Sequence, residues 1–74
     1  MITYDIDEAE RRINLVAAWV EKMPLGRFGI DAINQTRSWL DRERHRWLAI
    51  DQDASRVLVA LDKLKHALDA HLAS

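Results

Sequence analysis

Apolar residues recur along the first third of the chain at alternating steps of three and four positions. The stripe consists of Ile6, Ala9, Ile13, Val16, Val20 and Met23. This spacing follows the turn of a helix and not the strict alternation of a strand. Thr3 or Asp5 supplies an N-cap, and Asp5 with Glu8 has the spacing of a capping box. The pattern predicts a first helix over about residues 4–23.

Glycine and proline occur in a single segment, which interrupts this helical pattern. Pro24, Gly26 and Gly29 all fall between Met23 and Ile30. Proline cannot continue a helix and glycine tolerates backbone conformations that other residues avoid, so the cluster marks a turn. The sequence therefore predicts a loop over residues 24–29.

A second apolar pattern begins after the loop and keeps one heptad frame to the end of the chain. Its members are Ile33, Leu40, Trp47, Ile50, Ala54, Val57, Leu61, Leu64 and Leu68, with Thr36, Glu43 and His71 as polar exceptions. An unbroken frame predicts one helix from about Ile30 to Leu72, roughly 60 Å long at 1.5 Å per residue. A first helix half that length could not cover it, so this alternative requires a dimeric helical-hairpin bundle.

A break between Ile50 and Asp53 gives a second interpretation of the same residues. Arg44 and Arg46 would then end one helix, and Asp51 and Asp53 would start the next. Each charge would lie at the helix end whose dipole it complements. Against this interpretation, a connection without Gly, Pro or Asn is unusual, and the preserved frame would be a coincidence.

We favour the all-α interpretation with three helices, because helices of similar length pack well as an up-down-up bundle. The predicted helices cover about residues 4–23, 30–50 and 53–72 of a single helical domain, residues 1–74. The dimeric hairpin with one long helix stays open as the alternative.

Composition limits the class of protein to which the chain belongs. Cysteine is absent, which excludes disulfides and thiolate metal sites. The formal net charge of −1 gives no overall field that would attract nucleic acid or an anionic membrane. The longest apolar run, residues 15–20, is too short to span a bilayer, and the acidic N-terminus shows no signal peptide. We therefore expect a cytoplasmic protein with no membrane partner.

No residue pattern points to catalysis or to a cofactor. The segment Leu25–Gly29 lacks the length and the Lys-Ser/Thr pair of a phosphate-binding loop. Ser38, Ser55 and Ser74 lie in helical or terminal contexts without the elbow of a nucleophilic serine. A bundle of this size also has little room for a concave ligand pocket. We expect a protein that is not an enzyme and holds no cofactor.

Histidines in the last predicted helix raise the question of a metal site. Asp62 and His66 are four residues apart and share a face, so they offer two ligands. His71 is turned roughly 140° away from His66 around the helix and falls in the heptad frame instead. Two ligands do not make a structural metal site, so we expect no metal here.

Large apolar residues beside the core stripes are candidates for binding. Leu15 and Trp19 lie one turn apart beside the first stripe, and Trp39 flanks the second. Bundle helices need broad apolar faces, so these residues have a plain structural explanation. The alternative is that they form an exposed surface for a partner or for a dimer. The presence of two tryptophans supports this alternative, because tryptophan is enriched at binding hot spots.

A basic stretch on the second helix is the other candidate surface. Its members are Arg37, Arg42, Arg44 and Arg46, with Trp39 close by. Arginines beside an aromatic ring grip phosphates and stack on bases. However, helical spacing also pairs Asp41 with Arg37 and Glu43 with Arg46, which would leave a solvated salt-bridged face.

These patterns predict a non-enzymatic protein-protein interaction module that self-associates, with a homodimer as the expected state. Small adaptors, antitoxin-like proteins and phage or plasmid accessory factors share this profile. The predicted partner-binding residues are Leu15, Trp19, Trp39, Arg42 and Arg46. The alternative, which we disfavour, is a small helical dimer that binds nucleic acid. Its binding residues would be Arg37, Arg42, Arg44 and Arg46.

Overall fold

A computed structural model describes residues 5–73, which form three α-helices joined by two short connections. Helix α1 spans Ile6–Lys22, α2 spans Ile30–Ala49 and α3 spans Ser55–Ala73. The three-helix interpretation is confirmed. The alternative with one unbroken helix from Ile30 is not the structure that the chain forms, because the helix ends at Ala49.

Half of the capping box expected at the start of α1 is formed. The side-chain Oδ1 of Asp5 accepts a hydrogen bond from the backbone N–H of Glu8, with a donor–acceptor distance of 3.0 Å. The carboxylate of Glu8 does not return the bond but pairs with Arg11 and Arg12 further along the helix. Asp5 is thus the N-cap, and Thr3, the other candidate, lies outside the described residues.

The connection between α2 and α3 is held by a side chain rather than by glycine or proline. Ile50 leaves the helical conformation with φ −77° and ψ 156°. The carboxylate of Asp53 then accepts hydrogen bonds from both the hydroxyl and the backbone N–H of Ser55. These bonds lower the pKa of Asp53, the hydroxyl contributing more than the backbone N–H. Because Asp53 caps the helix from outside, α3 begins two residues later than predicted.

Helix α3 is the central element of the bundle. Both other helices pack on α3, whereas no Cα atom of α1 lies within 8 Å of one in α2. Arg56 near the start of α3 bonds Glu10 near the start of α1, so these two helices are parallel. Arg37 near the start of α2 meets Asp69 near the end of α3, so α2 runs in the opposite direction. This is the expected up-down-up arrangement.

Residues of the heptad frame are buried on both sides of the break. The apolar core of the described residues consists of Ile13, Ala17, Val20, Ile33, Leu40, Trp47, Ala54, Val57, Ala60, Leu61, Leu64, Ala67 and Leu68. The frame continues across the break because its residues in α2 and α3 pack into the same core. It indicates which residues are buried, and not that they belong to one continuous helix. Of the polar exceptions, Thr36 and Glu43 are half-buried and His71 is fully buried.

The loop between α1 and α2 is tied to the end of the bundle by an aromatic contact. Gly26 adopts φ +84°, a left-handed conformation that glycine accepts without strain. Phe28 packs edge-on against Trp19 and against His71, with ring centroids 5.4 Å and 5.0 Å away.

Between residues 5 and 73, no helix has the length and apolar character needed to cross a membrane.

Candidate interaction groove

A groove of about 560 Å³ lies between α1 and α2, which both pack on α3 without approaching each other closely. Its apolar lining comes from all three helices: Ile13 and Val16 from α1, Trp39 and Trp47 from α2, and Leu64 from α3. Trp47 and Leu64 are buried. Val16 and Trp39 are 44% and 40% exposed, so the groove presents apolar surface to solvent.

Helix geometry explains why the two tryptophans of α2 differ in burial. Trp47 occupies a heptad-frame position two turns after Leu40 and belongs to the buried core. Trp39 precedes Leu40 by one residue, which turns its side chain by about 100° around the helix. It therefore lies at the edge of the buried face and borders the groove instead of filling the core.

Charged residues of α1 border one side of the groove. Arg12 donates from Nε to Glu8 at 2.8 Å, and Arg11 bonds the same carboxylate at 2.7 Å. Hydrogen bonds from Arg11 and then Arg12 lower the pKa of Glu8 from 4.5 to about 2. The carboxylate is therefore ionised and already paired with cations of its own helix at neutral pH.

The opposite side of the groove carries a matching pair from α2. Arg46 lies 3.2 Å from the carboxylate of Glu43, as the spacing predicts. The guanidinium carbon of Arg46 also lies 5.5 Å from the ring centroid of Trp47, a distance at which a cation is attracted to an aromatic face. The ion pair and the ring together hold Arg46 at the edge of the apolar lining.

Leu15 and Trp19, two of the predicted binding residues, lie outside the groove and form a separate ridge on α1. Leu15 is turned about 160° from the buried Ile13, on the side of the helix that faces solvent. The two side chains are 57% and 54% exposed. Val16 lies between this α1 ridge and the groove, so the two apolar features share one continuous surface.

The four arginines of the nucleic-acid alternative lie on two different sides of α2. Arg46 borders the groove, whereas the exposed Arg42, one turn earlier and about 40° around α2 from Arg46, does not line it. Arg37 and Arg44 line a second cavity of about 430 Å³ between α2 and α3. The predicted basic stretch is therefore not one surface.

The second cavity mixes both signs of charge. Lys65 joins the two arginines there, but Asp41 and Asp62 also line it. Arg37 pairs with Asp69 of α3, 3.7 Å away, and not with Asp41 as the helical spacing suggested. The tertiary pair forms because α3 brings Asp69 within reach of α2, which the spacing within α2 alone does not reveal.

The histidines of α3 do not converge. Nδ1 of His66 lies 3.8 Å from a carboxylate oxygen of Asp62 on an exposed face. The buried ring of His71 donates from Nε2 to the backbone carbonyl of Val20 at 2.9 Å. Within residues 5–73, no three His, Asp or Glu side chains are placed to hold one metal ion.

Val16, Trp47 and Leu64 belong to the groove although sequence reasoning assigned them only to core stripes. Their periodic positions indicated burial and gave no sign that they also border an opening. The opening depends on the separation of α1 and α2, for which the sequence carries no local signal.

No protein-family model, no curated protein and no solved structure matches this chain. The groove, the α1 ridge and the charges around them are therefore the basis for inferring its function.

Proposed function

We propose that this protein is a non-enzymatic protein-protein interaction module whose groove binds the apolar face of an α-helix. One observation carries the proposal: the exposed Val16 and Trp39 flank an opening whose base is apolar. Exposed apolar patches on small proteins mark interaction sites, and tryptophan is enriched at binding hot spots. An amphipathic helix laid in an apolar groove is a recurrent mode of peptide recognition.

The groove is large enough for side chains of a partner helix but too small for the helix itself. Helices pack with their axes about 8–10 Å apart. A volume of about 560 Å³ accommodates a few large side chains but not a helix backbone with its own diameter of about 10 Å. The partner helix would therefore lie across the opening and insert residues spaced one turn apart.

The charges around the groove support a protein partner over a nucleic acid. Glu8 with Arg12 and Glu43 with Arg46 neutralise one another within their own helices. A polar border around an apolar centre is the usual anatomy of a protein interface. The nucleic-acid alternative has weaker support, because phosphate recognition needs cations clustered on one face. A role as a small adaptor, an antitoxin-like protein or an accessory factor is part of the same proposal.

A titration with a helical peptide tests the proposal. The probe is an Ala/Lys/Glu-based peptide with one Leu and one Trp four positions apart on one face. Binding to the isotope-labelled full chain should shift the NMR signals of the Trp39 indole N–H and the Ile13 and Leu64 methyl groups.

Two valine substitutions provide a matched comparison. Val16→Glu should weaken peptide binding by at least about tenfold, because the carboxylate would be desolvated beside the apolar lining. Val59→Glu places the same charge at a somewhat more exposed valine of α3 outside the groove, and should leave affinity within about twofold. Equal loss in both variants, or peptide shifts that avoid the groove residues, would refute the proposal.

A further inference from the structure

We propose that the helix bound by the groove belongs to a second copy of this chain. In the resulting dimer, the α1 ridge of each copy, Leu15 and Trp19, enters the groove of the other. This inference rests on the proposed function, because it names the partner of the same groove. The following contacts and charges of the single chain support it.

The α1 ridge has the chemistry that the groove requires. Leu15 and Trp19 are four residues apart, so their side chains project from one face of α1 at the spacing of one turn. Both are more than half exposed, and neither belongs to the apolar core. Ridge and groove adjoin through Val16, and a two-fold contact needs both complementary features on the same surface.

Half of the exposed large apolar residues that the structure describes lie on this surface. Of eight such residues between positions 5 and 73, four belong to the ridge or to the groove: Leu15, Val16, Trp19 and Trp39. A stable interface takes about 800 Å² from each partner, roughly 15% of this chain's 5374 Å². A contact that joins the two features would place these apolar side chains at its centre.

The dipoles of the two α1 helices favour an antiparallel arrangement of the copies. Asp5 and Glu8 lie at the start of the helix, and Lys22 lies at its end. Antiparallel pairing about an axis at Val16 sets Lys22 of one copy level with Glu10 of the other and Trp19 level with Ile13. A parallel pair would oppose like charges and align the two helix dipoles unfavourably.

The solution mass measured by light scattering and sedimentation equilibrium tests the dimer. Between about 1 µM and 1 mM, the full chain should reach twice its 8.6 kDa monomer mass. Leu15→Lys should raise the dissociation constant by at least about a hundredfold, because a charge would replace a central apolar contact. Leu48→Lys changes a similarly exposed leucine on α2 outside the proposed interface. It should leave the dissociation constant within about threefold of the native value.

Cysteine cross-linking tests the antiparallel arrangement, since the native chain contains no cysteine. Val16→Cys should cross-link efficiently with a short bis-maleimide, because the two-fold axis passes close to it. Lys22→Cys should not, because its two copies would be about 18 Å apart along the helices at 1.5 Å per residue. Cross-linking at both positions indicates a parallel pair and refutes the arrangement, as does cross-linking at neither.

The outcomes separate this inference from the proposed function. A native chain that stays monomeric at 1 mM, or equal effects of Leu15→Lys and Leu48→Lys, would refute the second copy as partner. The helical peptide would still bind the groove of Leu15→Lys if the proposed function is correct, because that substitution leaves the groove intact. Loss of peptide binding in Leu15→Lys, with helicity unchanged by circular dichroism, would instead count against the groove itself.

Discussion

The imidazole of His71 donates a hydrogen bond from Nε2 to the backbone carbonyl of Val20, 2.9 Å away. Carbonyl groups in the last turn of a helix have no partner within the helix, and the end of α1 is no exception. The backbone N–H of Met23 meets the same carbonyl at 3.2 Å. The last helix therefore supplies a side chain that caps the first and joins the two at one end of the bundle.

We expect His71→Ala to lower the free energy of unfolding by about 2–4 kcal/mol, because it removes this hydrogen bond and leaves a cavity beside Phe28. His66→Ala on the exposed face of the same helix should change it by less than about 0.5 kcal/mol. Urea denaturation followed by circular dichroism measures both values. Similar effects of the two substitutions would contradict the capping role of His71.

The ion pairs of Glu8 predict a specific dependence of stability on pH. Because its pKa is lowered from 4.5 to about 2 by Arg11 and Arg12, its contribution is fully present above pH 4.5. That contribution is lost as the pH falls through about 2, where the folded-state carboxylate takes up a proton. Glu8→Gln should therefore be less stable than the native chain at neutral pH, with the difference disappearing in acid.

A matched substitution separates this effect from a general loss of charge. Glu21→Gln removes the same charge from an exposed position near the end of α1. Thermal melts of the three proteins between neutral pH and about pH 2 make the comparison. If the difference in melting temperature between the native chain and Glu8→Gln stayed constant over this range, the ion pairs of Glu8 would not be the source of the stability.

The Asp53 cap predicts a contrast between two neighbouring aspartates. Asp53→Ala removes the acceptor for the hydroxyl and backbone N–H of Ser55 and should lower the urea midpoint. Asp51→Ala, at an exposed position of the same connection, should have little effect. Since the pKa of Asp53 is lowered by these bonds, its contribution is present above pH 3.8 and decreases below it. Equal midpoints for the two variants would show that the cap does not hold the turn.

Two arginines of α2 distinguish the protein-binding proposal from the nucleic-acid alternative. Arg46→Gln should weaken binding of the helical peptide several-fold, because Arg46 borders the groove and lies against Trp47. Arg42→Gln should have a clearly smaller effect on peptide binding, since Arg42 does not line the groove. Peptide titrations and fluorescence anisotropy with a single-stranded RNA oligonucleotide provide the measurements. Salt-dependent RNA binding that falls equally in both variants would favour the alternative.

The first helix and the turn that follows it can be predicted from local signals in the sequence. The stripe of α1 and the Pro24–Gly29 cluster each give a direct physical reason for a helix or a turn. The second turn is harder to predict, because helix propensity alone does not oppose an unbroken helix through Ile50. A single side chain, Asp53, supplies the competing hydrogen bonds, and their geometry is visible only in the folded chain.

The candidate site was predictable only in part. Trp39 and Arg46 do border one groove, whereas Leu15 and Trp19 form a ridge beside it and Arg42 does not line it. Periodicity identifies the buried side of each helix but not the distance between two helices that both pack on a third. The groove depends on that distance, so its shape could not be inferred before the fold was known.

The central position of α3 has a consequence for how the chain acquires its fold during translation. Because α1 and α2 do not approach each other closely, neither helix can pack stably on the other in the absence of α3. Both leave the ribosome before α3, and the contact between Val20 and His71 spans 51 residues. The nascent chain must therefore keep two amphipathic helices unpartnered until the third emerges, and the core assembles only after α3 has left the ribosome.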